Sequence, residues 1–382
     1  MEMNLQEIRK KLDAIDDQMI GLFSQRMRLV KDVAAYKKEQ GLPILDTGRE
    51  REIVNRVTLS AGEDLEHYAK LLYQTLFSVS RAYQAEQLLP ASPLLQKLET
   101  AAKNVLPKMP GRVMVACQGT EGAYSQKMTD RMFEFADILY MNTFNDVFNA
   151  VEKGMCPFGV LPIENSTAGS VTQVYDLMEK HHFHIVKAAR QRIDHRLLAL
   201  PGTDIENLRE VVSHEQALRQ CSAFLAAHPH IKATPAENTA KAAALVSQAG
   251  RNDLAAIASQ ECEALYGLEA LSDSVSDTGN NATRFICIAK DLQVYEGANK
   301  ISLMLSAAHR PGSLYRLLSH ISVMGVNLTK LESRPIPGKD FEFRFFFDLE
   351  ASILDPAIRM LMEQLRQDSD QFVFLGNYEE MR

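Results

Sequence analysis

Cationic side chains near the amino terminus lie in a pattern that otherwise predicts an apolar helical seam. Arg26 occupies a seam position between Leu22 and Leu29, where the alternating spacing of three and four calls for a hydrophobic residue. An arginine in such a seam is unfavourable unless an anion compensates its charge. Two interpretations follow: Arg26 binds an anionic ligand, or it forms a buried ion pair or extends along the helix to solvent.

Arg9 and Lys37 lie on one stripe of the same predicted helix, four heptads apart. At the α-helical rise they are separated by about 42 Å, so one small ligand cannot touch both on a straight helix. Arg26 and Lys37 are about 16 Å apart, which lets their long side chains hold opposite ends of one small dianion. If Arg9 joins that pocket, it comes from a second, antiparallel copy of the chain.

Polar residues on the next two predicted helices complete the candidates in this region. Ser80 and Gln84 are four residues apart and stand one step off their own apolar seam, so both can point the same way into a bundle. The run that contains Asp46, Arg49 and Glu50 has a simpler interpretation, as a helix start with an N-cap and paired charges.

The central part of the chain carries polar clusters beside predicted strands. One strand ends with Glu164, Asn165, Ser166 and Thr167, within the segment 162–170. Polar groups at the carboxyl ends of strands line the crevice of an open α/β sheet, which favours a ligand site. The alternative is a capped helix start that follows the strand.

Two further segments are candidates of the same kind. The glycine-containing turn at 119–125 follows the first predicted strand and can direct backbone N–H groups at an anion. Thr283 and Arg284, within 281–285, are either a second polar cluster or only the entry to a strand. Taken singly, none of these segments identifies a reaction.

Several common chemistries lack their motifs in this sequence. No G-x-G-x-x-G occurs, which argues against an NAD-linked dehydrogenase, and His214-Glu215 begins like H-E-x-x-H without the second histidine. His181, His182 and His184 are interpreted as a solvated turn. We therefore expect no cofactor and no metal site.

The elements that must position these residues fall into three patterns. Almost continuous helix with breaks at 41–43 and 60–62 is followed by a linker marked by Pro90, Pro93, Pro107 and Pro110. Alternating strand and helix patterns follow, which favour a mostly parallel sheet. The last pattern is βαββαβ, the ferredoxin-like plan. The predicted segments are 1–90 (all-α), 91–110 (linker), 111–290 (α/β) and 299–382 (α+β).

Within the last two segments, individual elements can be placed from apolar runs and from helical spacing. In the α/β segment the predicted strands are 113–116, 158–161 and 285–288, and the predicted helices are 217–227 and 239–249. In the α+β segment the predicted strands are 301–305, 327–333, 341–349 and 372–375, and the predicted helices are 313–323 and 356–366.

The composition is that of a soluble globular protein of two or three domains: 382 residues, 46% hydrophobic, 24% charged, net charge −7. No apolar run approaches the ~18 residues of a membrane helix, and the first residues open no signal peptide. Five scattered cysteines without a C-x-x-C pair fit reduced thiols in the cytoplasm. A mildly acidic chain disfavours nonspecific binding to nucleic acid or to membranes.

Residues 5–84 resemble the all-helical chorismate mutase family. The resemblance implies an intertwined dimer of three-helix chains with two shared sites, in which Arg9 of a second copy and Arg26 hold the substrate carboxylates. It further implies that Lys37 and Gln84 donate hydrogen bonds to the ether oxygen. The matching residues are Ile8-Arg9-Lys10-Lys11-Leu12, Arg26-Met27-Arg28, Lys37, Asp46, Arg49-Glu50 and Ser80-x-x-x-Gln84.

The remaining roles in this site follow from the same resemblance. Glu50, Ser80 and the neighbourhood of Asp46 would hold the ring hydroxyl, and Arg49 matches a motif position. A Claisen rearrangement needs no nucleophile, metal or cofactor. It needs a flexible dianion held in a reactive conformer and donors where charge grows on the ether oxygen, which suits arginine, lysine and glutamine.

The middle segment resembles prephenate dehydratase over about 180 residues, which implies two α/β lobes around a cleft, as in periplasmic binding proteins. The resemblance implies that catalysis depends most on Thr283, with Arg284 close by. It places the side chains of Glu164, Asn165, Ser166, Thr167, Ser213, His214 and Gln216 in the cleft. The matching motifs are GTEGAYS (119–125), PIENSTAGS (162–170), IDHRLL (193–198), SHEQALRQC (213–221) and NATRF (281–285).

The carboxyl-terminal segment resembles an ACT regulatory domain through 310–315 and 332–335. A glycine after the first strand lets a ligand approach the backbone, and the following helix N-terminus favours a carboxylate. The resemblance implies phenylalanine binding at a dimer interface and feedback inhibition. The implied effector residues are Gly312, Ser313, Leu314, Glu332, Ser333 and Arg334.

Together these resemblances imply a cytoplasmic bifunctional enzyme, a homodimer or tetramer, that takes chorismate to prephenate and prephenate to phenylpyruvate. Two alternatives remain open. A nonenzymatic sensor with the same lobes would give Arg26 and Thr283 no special role. A mutase–dehydrogenase would require the dinucleotide loop that the sequence lacks.

Overall fold

A computed structural model describes residues 4–88, 92–336, 338–339 and 342–381. Two positions named in the sequence predictions, Pro90 of the linker and Phe341 at the start of a strand, lie outside these ranges. Within them, no helix is long and apolar enough to cross a membrane.

The α-helices of the described residues are labelled in chain order. They are α1 (Leu5–Gln40), α2 (Thr47–Ala61), α3 (Glu66–Leu88), α4 (Pro93–Lys103), α5 (Tyr124–Met132), α6 (Phe144–Glu152), α7 (Thr172–His181), α8 (Glu215–Arg219), α9 (Ser222–Ala227), α10 (Thr239–Ala249), α11 (Glu261–Tyr266), α12 (Ser313–Val323) and α13 (Pro356–Gln367).

The strands are labelled in the same way. They are β1 (Arg112–Gln118), β2 (Phe135–Met141), β3 (Phe158–Asn165), β4 (Gly169–Ser170), β5 (His184–Arg192), β6 (Arg196–Ala199), β7 (Glu210–His214), β8 (Lys232–Ala236), β9 (Leu254–Ala258), β10 (Glu269–Ser272), β11 (Ala282–Ala289), β12 (Lys300–Ser306), β13 (Asn327–Pro335), β14 (Phe343–Glu350) and β15 (Gln371–Met381).

Most predicted elements are confirmed, and the exception has a physical cause. Helix 239–249 and the break after α1 at Gly41, whose φ is 62°, are found as predicted. The single helix predicted over 217–227 is wrong, because α8 ends at Arg219 and α9 begins at Ser222. The carboxylate of Asp277 accepts the N–H groups of Ser222 and Ala223, so α9 is capped by a residue remote in sequence.

The chain divides into two compact units. The first contains the residues up to Glu99 together with Ala307–Gly325 and Pro356–Asp370, and the second contains Thr100–Ser306, Val326–Asp355 and the chain from Gln371. The segment predicted as a regulatory domain contributes to both units. Its elements follow the chain order β12, α12, β13, β14, α13, β15, which is the βαββαβ order of the ferredoxin-like plan.

In the first unit, α1 and α2 each pack against α3. The face of the 36-residue α1 that meets α3 buries Val30 and Ala34. The predicted apolar seam lies on another face and stays exposed in the single chain. We call this surface the α1 stripe; its members are Leu5, Ile8, Leu12, Ile15, Met19, Leu22, Leu29, Val33 and Tyr36.

In the second unit the described strands form two sheets, of ten and five strands. The larger sheet runs β13-β14-β12-β15-β5-β11-β3-β1-β2, with β4 beside β3, and the smaller runs β10-β6-β9-β7-β8. The expectation of mostly parallel sheet is wrong, because β11 lies antiparallel between β3 and β5. It enters the larger sheet after the chain has completed the smaller one, which brings Thr283 beside β3.

Strands β12–β15 belong to the same sheet as the β3–β11 region. β15 pairs with β12 as far as Tyr378, and its last residues, from Glu379, then pair in parallel with β5. A side chain at Gly376 would meet the Ile185 carbonyl oxygen at 2.2 Å, so only glycine permits this close approach. The larger sheet is therefore continuous between the two regions.

The histidine-rich turn differs from its prediction. The side chain of His181 is 3% exposed and packs against the rings of Phe148 and Phe183. His184 is buried, with its Nδ1 3.1 Å from the Phe374 carbonyl oxygen. Only the exposed His182 fits a solvated turn. No group of histidine, cysteine and acidic residues in the described ranges could hold a metal ion.

Candidate active sites

Arg26, Ser80 and Gln84 lie together where α1 meets α3, and we call them the helical cluster. The Arg26 guanidinium donates to the Ser80 hydroxyl, which itself donates to the Leu76 carbonyl oxygen at 2.5 Å. Gln84 Nε2 donates to the Ser80 carbonyl oxygen at 3.3 Å. Ser80 and Gln84 are 4% and 7% exposed, and Arg26 is half-buried beside them.

The helical cluster has uncompensated polar groups. Among the described residues no carboxylate pairs with Arg26, and Gln84 Oε1 is buried without a hydrogen-bond partner. Buried polar groups are normally satisfied, so an unpaired amide and an unpaired cation together favour a ligand. Gln84 Nε2 carries a second hydrogen, besides the one it donates to the Ser80 carbonyl oxygen, that a ligand oxygen can accept.

The other two cations of α1 lie apart from this cluster. Lys37 donates to the Ile44 carbonyl oxygen at 2.5 Å, in the loop before α2. Arg9 is exposed near the start of α1. By helical periodicity, Arg26 and Lys37 lie along the border between the buried face and the α1 stripe, and Arg9 cannot reach either within one straight helix.

The residues around the start of α2 do not join the helical cluster. Asp46 caps α2 by accepting the Arg49 N–H at 2.9 Å, and Arg49 pairs with Glu52 on the surface at 2.7 Å. Glu50 pairs with Arg81, a residue that the sequence alone did not single out. The simpler interpretation of this run, a capped and charge-paired helix start, therefore accounts for its contacts.

Glu50 and Arg81 also line a cavity of about 1030 Å³ in the first unit. Residues of α2, α3 and α12 surround this cavity, and Gly312 lies at its α12 side. The cavity does not include Ser80 or Gln84 among its lining residues. Among the described residues, Glu50 makes its ion pair with Arg81 and not with a member of the helical cluster.

In the second unit, Thr283 of β11 lies opposite Asn165 of β3. Asn165 Nδ2 donates to Thr283 Oγ1 at 2.9 Å and to Asn281 Oδ1 at 2.8 Å. Its Oδ1 accepts the backbone N–H groups of Thr167 and Ala168. Both ends of the Asn165 amide are used, which fixes its orientation, and we call Thr283, Asn165 and Asn281 the Thr283 cluster.

This arrangement leaves the Thr283 hydroxyl hydrogen available. Because Asn165 donates to Oγ1, the oxygen already acts as an acceptor there, and among the described residues no acceptor lies within reach of its hydrogen. Thr283 is 9% exposed, so a ligand in contact with it would be largely desolvated. The hydroxyl is therefore placed to donate to a ligand, with Asn165 increasing its polarity.

Two residues that the sequence left without a role extend the cluster. Asn281 Nδ2 donates to Gln220 Oε1 at 3.0 Å, and His195 Nε2 lies 3.1 Å from the same oxygen. Since an amide oxygen only accepts, His195 Nε2 carries its hydrogen, and Nδ1 is buried without a partner among the described residues. Burial lowers the pKa of His195, although the Gln220 bond and the charge of Asp194 oppose this.

Four of the other predicted cleft residues have structural contacts. Ser166 accepts the Ala282 N–H at 2.9 Å. His214 caps α8 by accepting the Gln216 N–H at 3.3 Å. Ser213 is 0% exposed and donates to a strand carbonyl, that of Ile257, at 2.6 Å, so the prediction that its side chain lines the cleft is wrong.

The turn at 119–125 connects parts of the second unit. Tyr124 donates to the Asp194 carbonyl oxygen at 2.8 Å, and Tyr266 donates to that of Glu121 at 2.8 Å. At Gly122, with φ 85°, a side chain would come within 2.9 Å of Leu265 Cδ2. Its glycines thus permit close packing against α11, and the contacts give no sign of the anion site considered from the sequence.

Family comparisons separate the two candidate sites. A family model described as chorismate mutase type II matches residues 8–85, and one described as prephenate dehydratase matches residues 115–293. The bifunctional chorismate mutase/prephenate dehydratase of Escherichia coli (strain K12) is 30% identical over 385 residues, covering 99% of this chain and 96% of that protein. The chain belongs to this bifunctional family. Both enzyme activities are accordingly its own.

Further relatives of the bifunctional enzyme match its larger part. The arogenate dehydratase/prephenate dehydratase 2 of Arabidopsis thaliana is 33% identical over 311 residues, covering 78% of this chain and 81% of that protein. Among solved structures, the prephenate dehydratase of Arthrobacter aurescens in complex with L-Phe has a TM-score of 0.63 and 26% identity, covering 70% of this chain and 90% of that one. A protein described as a quorum quenching acylase, GqqA, has a TM-score of 0.62 and 30% identity, covering 70% and 98%.

In this bifunctional enzyme, Arg284 does not join the Thr283 cluster. Its side chain is 6% exposed and pairs with Asp348 of β14 at 2.5 Å. Successive residues of a strand point to opposite faces, so Arg284 and Glu164 point toward Asp348 of β14 and Lys330 of β13, and Thr283 and Asn165 point to the other face. The prediction that Arg284 acts beside Thr283 therefore needs correction, as does that of Glu164 in the cleft.

The predicted effector residues of the enzyme lie on a helix start and on a strand. Gly312 has φ 83° and precedes α12, where Ser313 is 6% exposed. On β13, Glu332 accepts hydrogen bonds from Ser170 at 2.5 Å and from Arg334 at 2.8 Å. Burial raises the pKa of Glu332, but these bonds and nearby Lys330 outweigh it, so the pKa lies below its usual value.

Proposed function

We propose that the chain converts chorismate to prephenate at the helical cluster, and prephenate to phenylpyruvate at the Thr283 cluster. The observation that carries this assignment is the separation of two chemically different groups. An unpaired cation with buried hydrogen-bonding groups lies in the first unit, and a hydroxyl with a free hydrogen lies in the second. Each group suits one reaction and not the other.

The rearrangement of chorismate requires positioning and charge stabilisation. Arg26 would hold one carboxylate, and Ser80, which already contacts Arg26, would fix the guanidinium. Lys37 and the Gln84 amide would donate to the ether oxygen, where negative charge grows as its bond breaks. Arg9 would come from a second copy of the chain, since its own helix holds it too far away.

The conversion of prephenate to phenylpyruvate, carbon dioxide and water consumes one proton. The bond from the ring to the carboxylate carbon breaks and releases carbon dioxide, and its electron pair enters the ring. The ring's bond to the hydroxyl breaks, and the departing oxygen takes a proton and leaves as water. Thr283 would donate a hydrogen bond to that oxygen, with Asn165 polarising the threonine hydroxyl.

We further propose that the segment from β12 to β15 is an ACT domain that binds phenylalanine and inhibits the enzyme. The Arthrobacter relative with bound L-Phe supports the effector, and Gly312 at the start of α12 supports a carboxylate subsite. Gly312, Ser313, Leu314, Glu332, Ser333 and Arg334 are the proposed effector residues. We also propose the two-lobed, periplasmic-binding-protein-like architecture for residues 111–290.

The assembly that we propose is a homodimer joined through the α1 stripe. An apolar surface of this extent on one helix is unusual for a monomer, and a second antiparallel α1 would cover it. The same contact would supply Arg9. The described cysteines are free, which supports the proposed cytoplasmic location.

Incubation of the whole chain with chorismate tests the proposal directly. Prephenate and phenylpyruvate are followed separately over time, with and without added phenylalanine. We expect prephenate to form first and phenylpyruvate to follow, both more slowly when phenylalanine is present. A chain that binds phenylalanine without turning over chorismate or prephenate would be a sensor instead.

A further inference from the structure

A buried group of charged side chains lies on the face of β11 opposite the Thr283 cluster. Arg284 Nη1 lies 2.5 Å from Asp348 Oδ2, and its Nε lies 2.7 Å from Glu380 Oε1. Its Nη2 donates to the Tyr378 hydroxyl. All three partners belong to β14 and β15, the regulatory strands, so most of the polar contacts of the residue after Thr283 come from that region.

The partners of Arg284 also hold one another. Burial raises the pKa of Tyr378, so its phenol stays protonated and donates to Ser302 Oγ at 2.6 Å. Ser302 in turn donates to Asp348 Oδ1 at 2.5 Å. Together with Arg284 these side chains form a closed ring of hydrogen bonds, which leaves the guanidinium a single low-energy position. Arg284 and Asp348 are each 6% exposed, so water cannot replace either partner.

A second connection runs through Glu164. Its Oε2 lies 3.7 Å from Arg284 Nη1, and its Oε1 lies 3.0 Å from Lys330 Nζ on β13. Lys330 also lies 3.2 Å from Glu332, one of the proposed effector residues. Charged contacts therefore run without interruption from the proposed effector motif to the two strands of the Thr283 cluster.

The register of these strands places the two groups back to back. Thr283 pairs with Asn165, and the next pair along is Arg284 with Glu164. Neighbouring Cα atoms are fixed about 3.8 Å apart by the peptide bond, so a shift of the second pair moves the first. The hydrogen bond between Asn165 and Thr283, at 2.9 Å, tolerates only small changes.

We propose that Arg284 and Glu164 are positioning residues through which the regulatory strands hold Thr283 and Asn165 in their reactive arrangement. Neither touches the substrate in this scheme. Asp348, far along the chain from Thr283, then becomes necessary for the dehydratase rate. The inference rests on the proposed dehydratase role of Thr283, and it assigns a function to contacts that the reaction itself does not use.

The first test compares two single variants of the whole chain. Asp348→Asn removes the charge that holds Arg284. Glu179→Gln is the matched control, because Glu179 joins α7 to Arg344 of the same strand β14, and no hydrogen bond or ion pair among the described residues links it to β11. We expect Asp348→Asn to lower kcat for prephenate at least about tenfold while KM changes less than about threefold. Glu179→Gln should keep the wild-type kcat.

The second test separates positioning from a general loss of structure. In a Thr283→Val background, Asp348→Asn should cause no further loss of kcat, because its effect passes through Thr283. A structural defect would instead multiply the two losses and would lower the mutase rate of the same preparation. We therefore expect the variants to have the mutase rate and the circular dichroism spectrum of the wild-type chain.

Several outcomes would overturn the inference. They are a kcat of Asp348→Asn within about twofold of wild type, an equal loss in Glu179→Gln, or multiplied losses in the Thr283→Val background. If Asp348→Asn does not fold, Lys330→Met, which breaks the Glu164 connection, takes its place with the same expectations. Failure of the proposed function itself gives a different result, because the wild-type chain would then leave prephenate unchanged.

Discussion

At the scale of single residues, the two sites use the side chains in different ways. Arg26 is held by Ser80 but keeps an uncompensated charge, whereas Thr283 is neutral and is oriented by Asn165. The first arrangement suits a substrate that brings two negative charges, and the second suits a leaving oxygen that needs a hydrogen. We therefore expect replacement of Arg26 to lower the mutase activity and replacement of Thr283 to lower the dehydratase activity.

Replacement of Thr283 by valine removes the hydroxyl and keeps the shape. We expect kcat for prephenate to fall about 100-fold or more, because the leaving oxygen loses its donor, while Thr283→Ser keeps most of the rate. Thr203→Val is the matched control, since Thr203 is also a threonine of 9% exposure in the same unit. An unchanged rate in Thr283→Val would contradict the assignment.

His195 predicts a pH dependence of stability. Its pKa is lowered in the folded protein from 6.5, so the unfolded chain takes up a proton first as the pH falls. The contribution of His195 to the free energy of unfolding is therefore complete above about pH 6.5 and is lost as the pH falls below that value. Urea unfolding at about pH 8 and about pH 5.5 should show a smaller drop in stability for His195→Gln than for wild type.

The exposed His230 provides the control for that comparison. His230→Gln should retain the full wild-type drop between the two pH values, because it leaves His195 in place. Equal drops for His195→Gln and wild type would show that His195 titrates normally in the folded state.

At the scale of elements, α1 buries little of its surface within the single chain. It buries only Val30 and Ala34 against the rest of the first unit, although it is 36 residues long. Its amphipathic pattern was predictable because helical periodicity is local. Which stripe faces its own chain was not predictable, because two apolar faces compete for the contact with α3.

Charges on the α1 stripe should separate the proposed dimer. We expect wild type to have twice the mass of the 42.8 kDa chain by light scattering, and Leu22→Asp combined with Leu29→Asp to have the single mass. The mutase activity of this double variant should fall at least about tenfold, because a second copy of the chain no longer supplies Arg9 to the site. Dehydratase activity reports whether the variant is folded.

Leu59 serves as the control for this change, since it is 86% exposed on α2 and lies outside the α1 stripe. Leu59→Asp should leave both the mass and the mutase rate as in wild type. A wild-type chain of single mass with full mutase activity would contradict the shared site.

At the scale of the whole molecule, two reactions in sequence occupy two separate clusters of one chain. Arg26→Ala should lower the mutase rate about 100-fold and leave added prephenate a normal substrate, because the dehydratase cluster does not use Arg26. Thr283→Val should do the reverse, and prephenate should accumulate. Mixing the two variants should restore phenylpyruvate formation from chorismate. Loss of both activities in either folded variant would contradict separate sites.

Much of this organisation is contained in the sequence by itself. Helix limits such as those of α10 follow from local caps and periodicity, and the types of residue that each reaction needs are present in recognisable order. Ser80 and Gln84 can be grouped from their positions along the chain, because helical spacing fixes which side chains of one helix share a direction, whereas Arg26 joins them only through the family resemblance.

The tertiary structure alone decided how strands bring remote residues together. Arg284 and Thr283 are neighbours in one motif, yet the strand turns them to opposite faces, and the partners of Arg284 come from 64 and 94 residues away. The same holds for His195, Gln220 and Asn281, which meet only because β11 returns to the larger sheet. Local pattern determines which side chains are available, and sheet register determines which of them meet.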